Sequence, residues 1–477
     1  MITTWIDQFV LIVTGIVLVP MYLKAFGDHI YGIWLATGGV IAWVAMFNVA
    51  TVSGQRSAAA CGAKKFIRAI TYFWSGLAVN FILSLILLLT GKLVILALLD
   101  MWKLSHVELE SLSRALNYCL FAMMVQMWVS ACAPFLQAMQ RPEYLLYARP
   151  LMAIVQLGIL YWGIRMGCGV WIIPLALLSR NMILAIFSVI PSILISFSLY
   201  PKVIISKVVL LEVFKVTPQV ITGNAISSSA TKLSLFIIAF YMSPAWVAAY
   251  DITLRPIQFI NTVIHRISVV LIPSMSHLIG SGDVVKAQRI MRFALMVTVA
   301  ITLVASIGYV SFAESFIRLW VGSARYAGDI VVFTGGIGLL FLCISQQLAT
   351  YVHSSNGVGY AAIIGACGAV VSLMWTFIVV FLGLPDFVPL SMVFASALVA
   401  CLSITWLLRV KGFRIVKLGQ WGILCGVGAI AFIISLLLDL NGLATDWMKF
   451  SFEVLIFLFV SALIILPLIW KFRLSVK

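Results

Sequence analysis

Long apolar runs alternate with short polar breaks along the whole chain. Runs near 20 residues are each long enough to cross a bilayer. They fall near 5–23, 30–53, 74–99, 115–137, 145–164, 170–197, 216–242, 245–273, 289–311, 327–351, 360–383, 387–408, 419–438 and 451–470. The pattern predicts an all-α polytopic membrane protein with about fourteen transmembrane helices, twelve in a core and two added at the C-terminal end. Prolines mark several ends, among them Pro20, Pro142, Pro150, Pro201, Pro244 and Pro385. The stretch from Pro218 to Pro273 departs from this apolar pattern. Lys232 lies inside one predicted helix, and Asp251, Arg255, His265 and Arg266 lie inside the next. Asp251, Arg255, Gln258, Thr262 and His265/Arg266 recur at steps of three or four, which puts them on one helical face. Ionisable groups in hydrocarbon are costly, so such a stripe marks a functional site by default. It predicts a helix lining a wet, cationic cavity.

Composition removes the soluble alternatives. The 477 residues are 63% hydrophobic and only 10% charged, more apolar surface than a soluble chain of this length hides. Met1 to Tyr22 lacks the basic start and small-residue cleavage site of a signal peptide, so it reads as a retained first helix. The eight cysteines form no metal-spaced cluster and read as small buried apolar residues. No cofactor, metal or nucleic-acid partner is expected.

The net charge of +16 is first a topology signal. One set of loops carries Arg56, Lys64, Lys65 and Arg68; Arg141 and Arg149; Lys202, Lys207 and Lys215; Lys286, Arg289 and Arg292; and Arg409, Lys411, Arg414 and Lys417. The opposite set carries few basic residues, diluted by acids such as Asp100, Glu108, Glu314 and Asp386. The bias places both termini in the cytoplasm of a multi-pass inner-membrane protein. No loop is large enough for a soluble domain. The polar connection around Lys202, Lys207 and Lys215 divides the chain into lobes at 1–200 and 201–410, with two extra helices in 411–477. A weak likeness between Tyr22–Trp34 and Tyr241–Ile252 is what an internal repeat would look like.

Helical rise places the charges in depth. Arg255, Lys232 and Arg180 each come to about 15 Å from the outer end of their helices. Asp251, the lone acid among them, either forms a buried ion pair with Lys232 or stands apart from it. Either way one acid does not neutralise three cations, and the surplus favours an anionic, phosphorylated substrate. Asn48, Asn224 and the Gln346/Gln347 pair add polar groups to a wet path, and Arg56 stands at its cytoplasmic mouth. Arg266 is either an entrance charge or a side chain snorkelling to the interface.

Several short stretches resemble the Wzx-type polysaccharide flippases. They are Tyr22-Leu-Lys-Ala-Phe-Gly27 with Tyr31-Gly-Ile-Trp34, Phe135-Leu-Gln-Ala-Met-Gln-Arg-Pro142, Ile272-Pro-Ser-Met-Ser-His-Leu278 with Gly282-Asp283 and Lys286, Leu319-Trp-Val-Gly322 with Tyr326-Ala327, and Ser355-Asn-Gly-Val-Gly-Tyr360. They occur in the family's order over about residues 20 to 365. The resemblance implies the fold shared with lipid II flippases and MATE multidrug exporters, two lobes in a V around a central cavity. It implies transfer of an undecaprenyl-diphosphate-linked O-antigen or related repeat unit to the periplasmic leaflet. Arg180, Lys232 and Arg255 fall where diphosphate contacts would lie. Gln258, Thr262, Arg266, Asn48, Asn224 and Arg56 would line the cavity or its entrance, with Asp251 the candidate for ion coupling. A polysaccharide polymerase and a chain-length regulator are the implied protein partners. Many relatives carry an acid just before the position of Lys232; here Thr231 stands there. Lipid II-type flipping, drug export on the same fold and a membrane polymerase or ligase are the rival readings. The basic cavity argues against drug export, and the short outer loops argue against an enzyme.

Overall fold

A computed structural model describes residues 2–44, 53–54, 56–57, 60–61, 64–100, 105–141, 143–211, 233–280, 283–355, 357–412, 428, 432–433 and 443–476. The chain divides into two compact units, Met1–Ala239 and Phe240–Lys477. Among the described residues it is nearly all helical. Eight of its helices are long and apolar enough to cross a membrane, which makes it a multi-pass membrane protein.

The first unit contains α1 (Ile2–Val44), α2 (Phe66–Asp100), α3 (His106–Ala138), α4 (Glu143–Arg165) and α5 (Ile172–Leu199). Within α1 two helices, the expected 5–23 span and the described part of the 30–53 span, meet at a kink. The turn between them shrinks to Gly27, at φ 74° and ψ 167°. That conformation suits glycine because it has no Cβ to clash. On α2, Leu85, Leu89, Leu93 and Leu96 are exposed at helical spacing, a face for lipid. The opposite face packs Leu87 and Ile95 against Leu112, Leu116 and Leu120 of α3. Gly91 permits this approach, since a Cβ there would stand 2.5 Å from a methyl of Leu120. α3 starts with a capping box, Ser105 and Glu108 each satisfying the other's backbone N–H.

Buried polar side chains stitch these helices together, because hydrocarbon offers no partner. Asn80 donates to the Met127 carbonyl at 3.3 Å, and Trp128 Nε1 to Ser84 Oγ at 3.0 Å. Trp128 is thus an inter-helix tie rather than the interfacial anchor its aromatic character suggests.

The second unit contains α6 (Pro244–Gly280), α7 (Val284–Val321), α8 (Asp329–Ser354), α9 (Val358–Phe381), α10 (Leu390–Lys411) and α11 (Trp447–Val476). A 3₁₀ turn at Ser323–Arg325, framed by Gly322 at φ 95° and Gly328 at φ 105°, links α7 to α8. Its core joins Met291, Leu295 and Val299 of α7, Leu348 and Tyr351 of α8, Leu407 of α10 and Phe457 of α11. α11 leans on α7 through an edge contact of Phe457 with Phe312, centroids 5.6 Å apart, while Phe452, Leu455 and Phe459 face outward. Of the expected 216–242 helix, residues 233–241 are described. The expected 419–438 helix lies almost wholly outside the described residues.

Candidate functional site

Within the second unit, α6 has two unlike faces. Val247, Leu254, Ile257 and Ile264 are buried in the unit's core. About a third of a turn away runs the charged stripe. Asp251 is buried and takes Arg255, one turn later, as its partner. The guanidinium holds one carboxylate oxygen twice, through Nη2 at 2.5 Å and Nε at 3.1 Å. Two donors converging on one carboxylate form a strong, charge-assisted contact. The Asp251 and Arg255 side chains are 7% and 18% exposed. Below them Gln258 is exposed and Thr262 is half-buried, its hydroxyl donating to the Gln258 carbonyl at 2.7 Å. His265 follows, with Nδ1 buried and without a hydrogen-bond partner among the described residues, and then half-buried Arg266.

The Asp251–Arg255 bond changes the charge accounting. The expectation paired Asp251 with Lys232 or kept it for an ion, and counted Arg255 among the unneutralised cations. The carboxylate engages Arg255 in its own helix. A pair four residues apart forms along one helix face and needs no neighbouring helix to make it. Lys232, Asn224 and Asn48 lie outside the described residues.

In the first unit, Arg180 sits half-buried on α5, at the border between two faces. One is the exposed stripe of Met182, Ile186, Ile190 and Leu194, and the other is the buried stripe of Asn181, Ser188, Ser192 and Ser196. Asn181 donates to the Ala122 carbonyl of α3 at 2.8 Å. Arg56 is helical and exposed.

The sequence reading also placed Gln347 in a wet path, and the structure corrects this. Gln347 is fully buried at the meeting of three helices. Its amide donates to Tyr351 Oη at 2.6 Å, and Tyr351 donates in turn to the Met291 carbonyl of α7 at 2.7 Å. Its carbonyl oxygen accepts from Ser268 of α6 and, at 3.5 Å, from Thr298 of α7. A second tie runs from Tyr309 Oη to the Thr253 carbonyl at 2.9 Å. The signal in the sequence was Tyr351, one helical turn after Gln347, which supplies a partner on the same face.

No family model matches the sequence, and no curated protein matches it. Solved structures share its fold. The lipid II flippase MurJ in an inward closed conformation aligns with a TM-score of 0.74, 14% identity and 97% of each chain covered. An inward-facing multidrug resistance MATE transporter of the MOP superfamily aligns at 0.62, with 15% identity, over 86% of this chain and 95% of its own. A MOP-superfamily transporter from Pyrococcus furiosus, described by the reverse polarity of its binding pocket, aligns at 0.59, with 13% identity, over 87% and 95%. The fold is therefore the one that MurJ and the MATE transporters share.

Proposed function

We propose that this protein is a flippase that carries an undecaprenyl-diphosphate-linked oligosaccharide repeat unit, of the O-antigen or a related surface polysaccharide, from the cytoplasmic to the periplasmic leaflet. The observation that carries the reading is the whole-length likeness to a lipid II flippase, 97% of both chains. The MATE transporter accounts for 86% of this chain. The share it leaves has about the length of the 411–477 segment, where the sequence pattern predicts two further helices. Basic residues within membrane helices fit a diphosphate better than a cationic drug, because guanidinium groups bind phosphate through paired hydrogen bonds.

The mechanism is alternating access between two lobes, 1–200 and 201–410, with no covalent step. Arg180, Lys232 and Arg255 hold the diphosphate. Gln258, Thr262, Arg266, Asn48, Asn224 and Arg56 line the path or its entrance. Asp251 couples the cycle to an ion through its bond to Arg255. A proton or sodium ion on the carboxylate weakens its hold on the guanidinium, which then turns to the phosphate. When the ion leaves, Asp251 recaptures Arg255 and the substrate is released. The product is a lipid-linked repeat unit in the outer leaflet, the material a polysaccharide polymerase and chain-length regulator would use.

Complementation of a strain lacking a repeat-unit flippase tests this. The wild-type gene restores surface polysaccharide, while R180A, K232A and R255A reach the membrane and do not. Full activity in all three variants would sink the reading. The likeness to MurJ favours one second reading, lipid II flipping. Rescue of a MurJ-depleted strain, without rescue of the repeat-unit mutant, would establish that instead.

A further inference from the structure

The first unit has a basic cavity that the proposed transport path does not use. It lies where the start of α2 meets the connection that follows α5, and its volume is about 730 Å³. Lys64, Lys65 and Arg68 line it together with Thr71 and Ser206, and no acid lines it among the described residues. The backbone holds these cations in place. Lys64 adopts φ 58°, a left-handed conformation rare for lysine, and its N–H closes a turn onto the Cys61 carbonyl at 2.9 Å. Arg68 lies over the Tyr72 ring, 5.8 Å from its centroid, with Nη2 3.4 Å from the Tyr72 hydroxyl. The opposite wall is pinned by the Ser206 N–H, 3.5 Å from Ser75 Oγ, and by Val209 packed against Tyr72.

This corner is rich in positive charge among the described residues. Three cations stand at the N-terminal end of α2, the positive end of its dipole, and its first turn holds no acid. A helix N-terminus also favours a negative ligand. The surroundings identify what kind. Phe66 and Ile67 on one wall and Val203 and Ile205 beside the other are 45–57% exposed. Lys202 and Lys207 flank these last apolar residues. Basic residues interleaved with outward-facing apolar ones are the signature of the headgroup region of a bilayer. A soluble anion needs the cations and has no use for the apolar rim.

We propose that this cavity binds the phosphate headgroup of an anionic phospholipid in the leaflet on the side of the basic loops. The phosphate sits among Lys64, Lys65 and Arg68, and the acyl chains run down past Phe66 and Ile67. The site tethers the connection after α5 to the membrane surface.

Thermal melting of the full-length protein in neutral detergent tests this, during titration with short-chain phosphatidylglycerol or phosphatidylcholine. Phosphatidylglycerol raises the wild-type midpoint saturably and phosphatidylcholine does not. The K64Q/K65Q/R68Q variant weakens the apparent affinity on the order of a hundredfold. The K64Q/K65Q variant, which spares the Arg68–Tyr72 contact, weakens it on the order of tenfold or more. R409Q, which removes an exposed charge elsewhere, leaves the titration unchanged. Wild-type affinity in both lysine variants, or equal loss in R409Q, would overturn the proposal. So would equal stabilisation by glycerol phosphate alone, which would assign the cavity to a soluble anion.

Discussion

Two sets of polar residues inside the second unit show opposite solutions to one problem. The Ser268–Gln347–Tyr351–Thr298 set is closed. Both ends of the Gln347 amide are engaged, and the side chain is fully buried. The Asp251–Arg255–Gln258–Thr262 set is open on one side. It pairs its two charges with each other along a single helix and leaves Gln258 exposed. A closed network fixes how α6, α7 and α8 pack. In the proposed cycle, the groups of the open stripe change partner.

The ion pair offers the largest effect with which to break this comparison. D251A or R255A leaves a mostly buried charge alone and lowers stability by about 2–3 kcal/mol, read as thermal melting in detergent. Each also abolishes transport in complementation. The swapped variant D251R/R255D rebuilds the i, i+4 pair, so its melting point recovers while transport does not. Transport restored by the swap would reduce the stripe to a strut.

Q347L comes next. It removes the donor to the Tyr351 hydroxyl and the acceptor of the Ser268 hydroxyl, and costs about 1–2 kcal/mol. Transport per folded molecule stays at the wild-type level; a drop would put Gln347 on the functional side. G336A is smaller, about 1 kcal/mol, from a Cβ pressed onto a neighbouring side chain. That Cβ would stand 2.5 Å from Val310 Cγ2, on the α7 face that packs against α8. Q258A has the smallest effect on stability, within about 0.5 kcal/mol, because the residue is exposed. It lowers transport several-fold all the same. No change in transport would remove Gln258 from the path.

The helices were legible in the sequence because each one alone must satisfy its backbone and meet lipid. Spans such as 172–199 and 329–354 follow from run length and hydropathy with errors of a few residues. The Asp251–Arg255 bond was also written there, as a spacing of four residues. Gln347 was misread because polarity within a membrane helix has two causes. A polar group there faces water, or it bonds a neighbouring helix, and the run of residues along one helix does not say which.

The sequence by itself determined that this chain crosses a membrane many times, which helices carry charge, and on which helical face the charge lies. Those are one-dimensional properties, set by hydropathy and by a period of 3.6 residues. Only the tertiary structure decided which polar groups are spent on packing. It closed Gln347 into a three-helix network, turned Asn181 onto the Ala122 carbonyl, and gathered Lys64, Lys65 and Arg68 into one cavity with the connection after α5. The physical reason is that a hydrogen bond between helices depends on the partner's position in space.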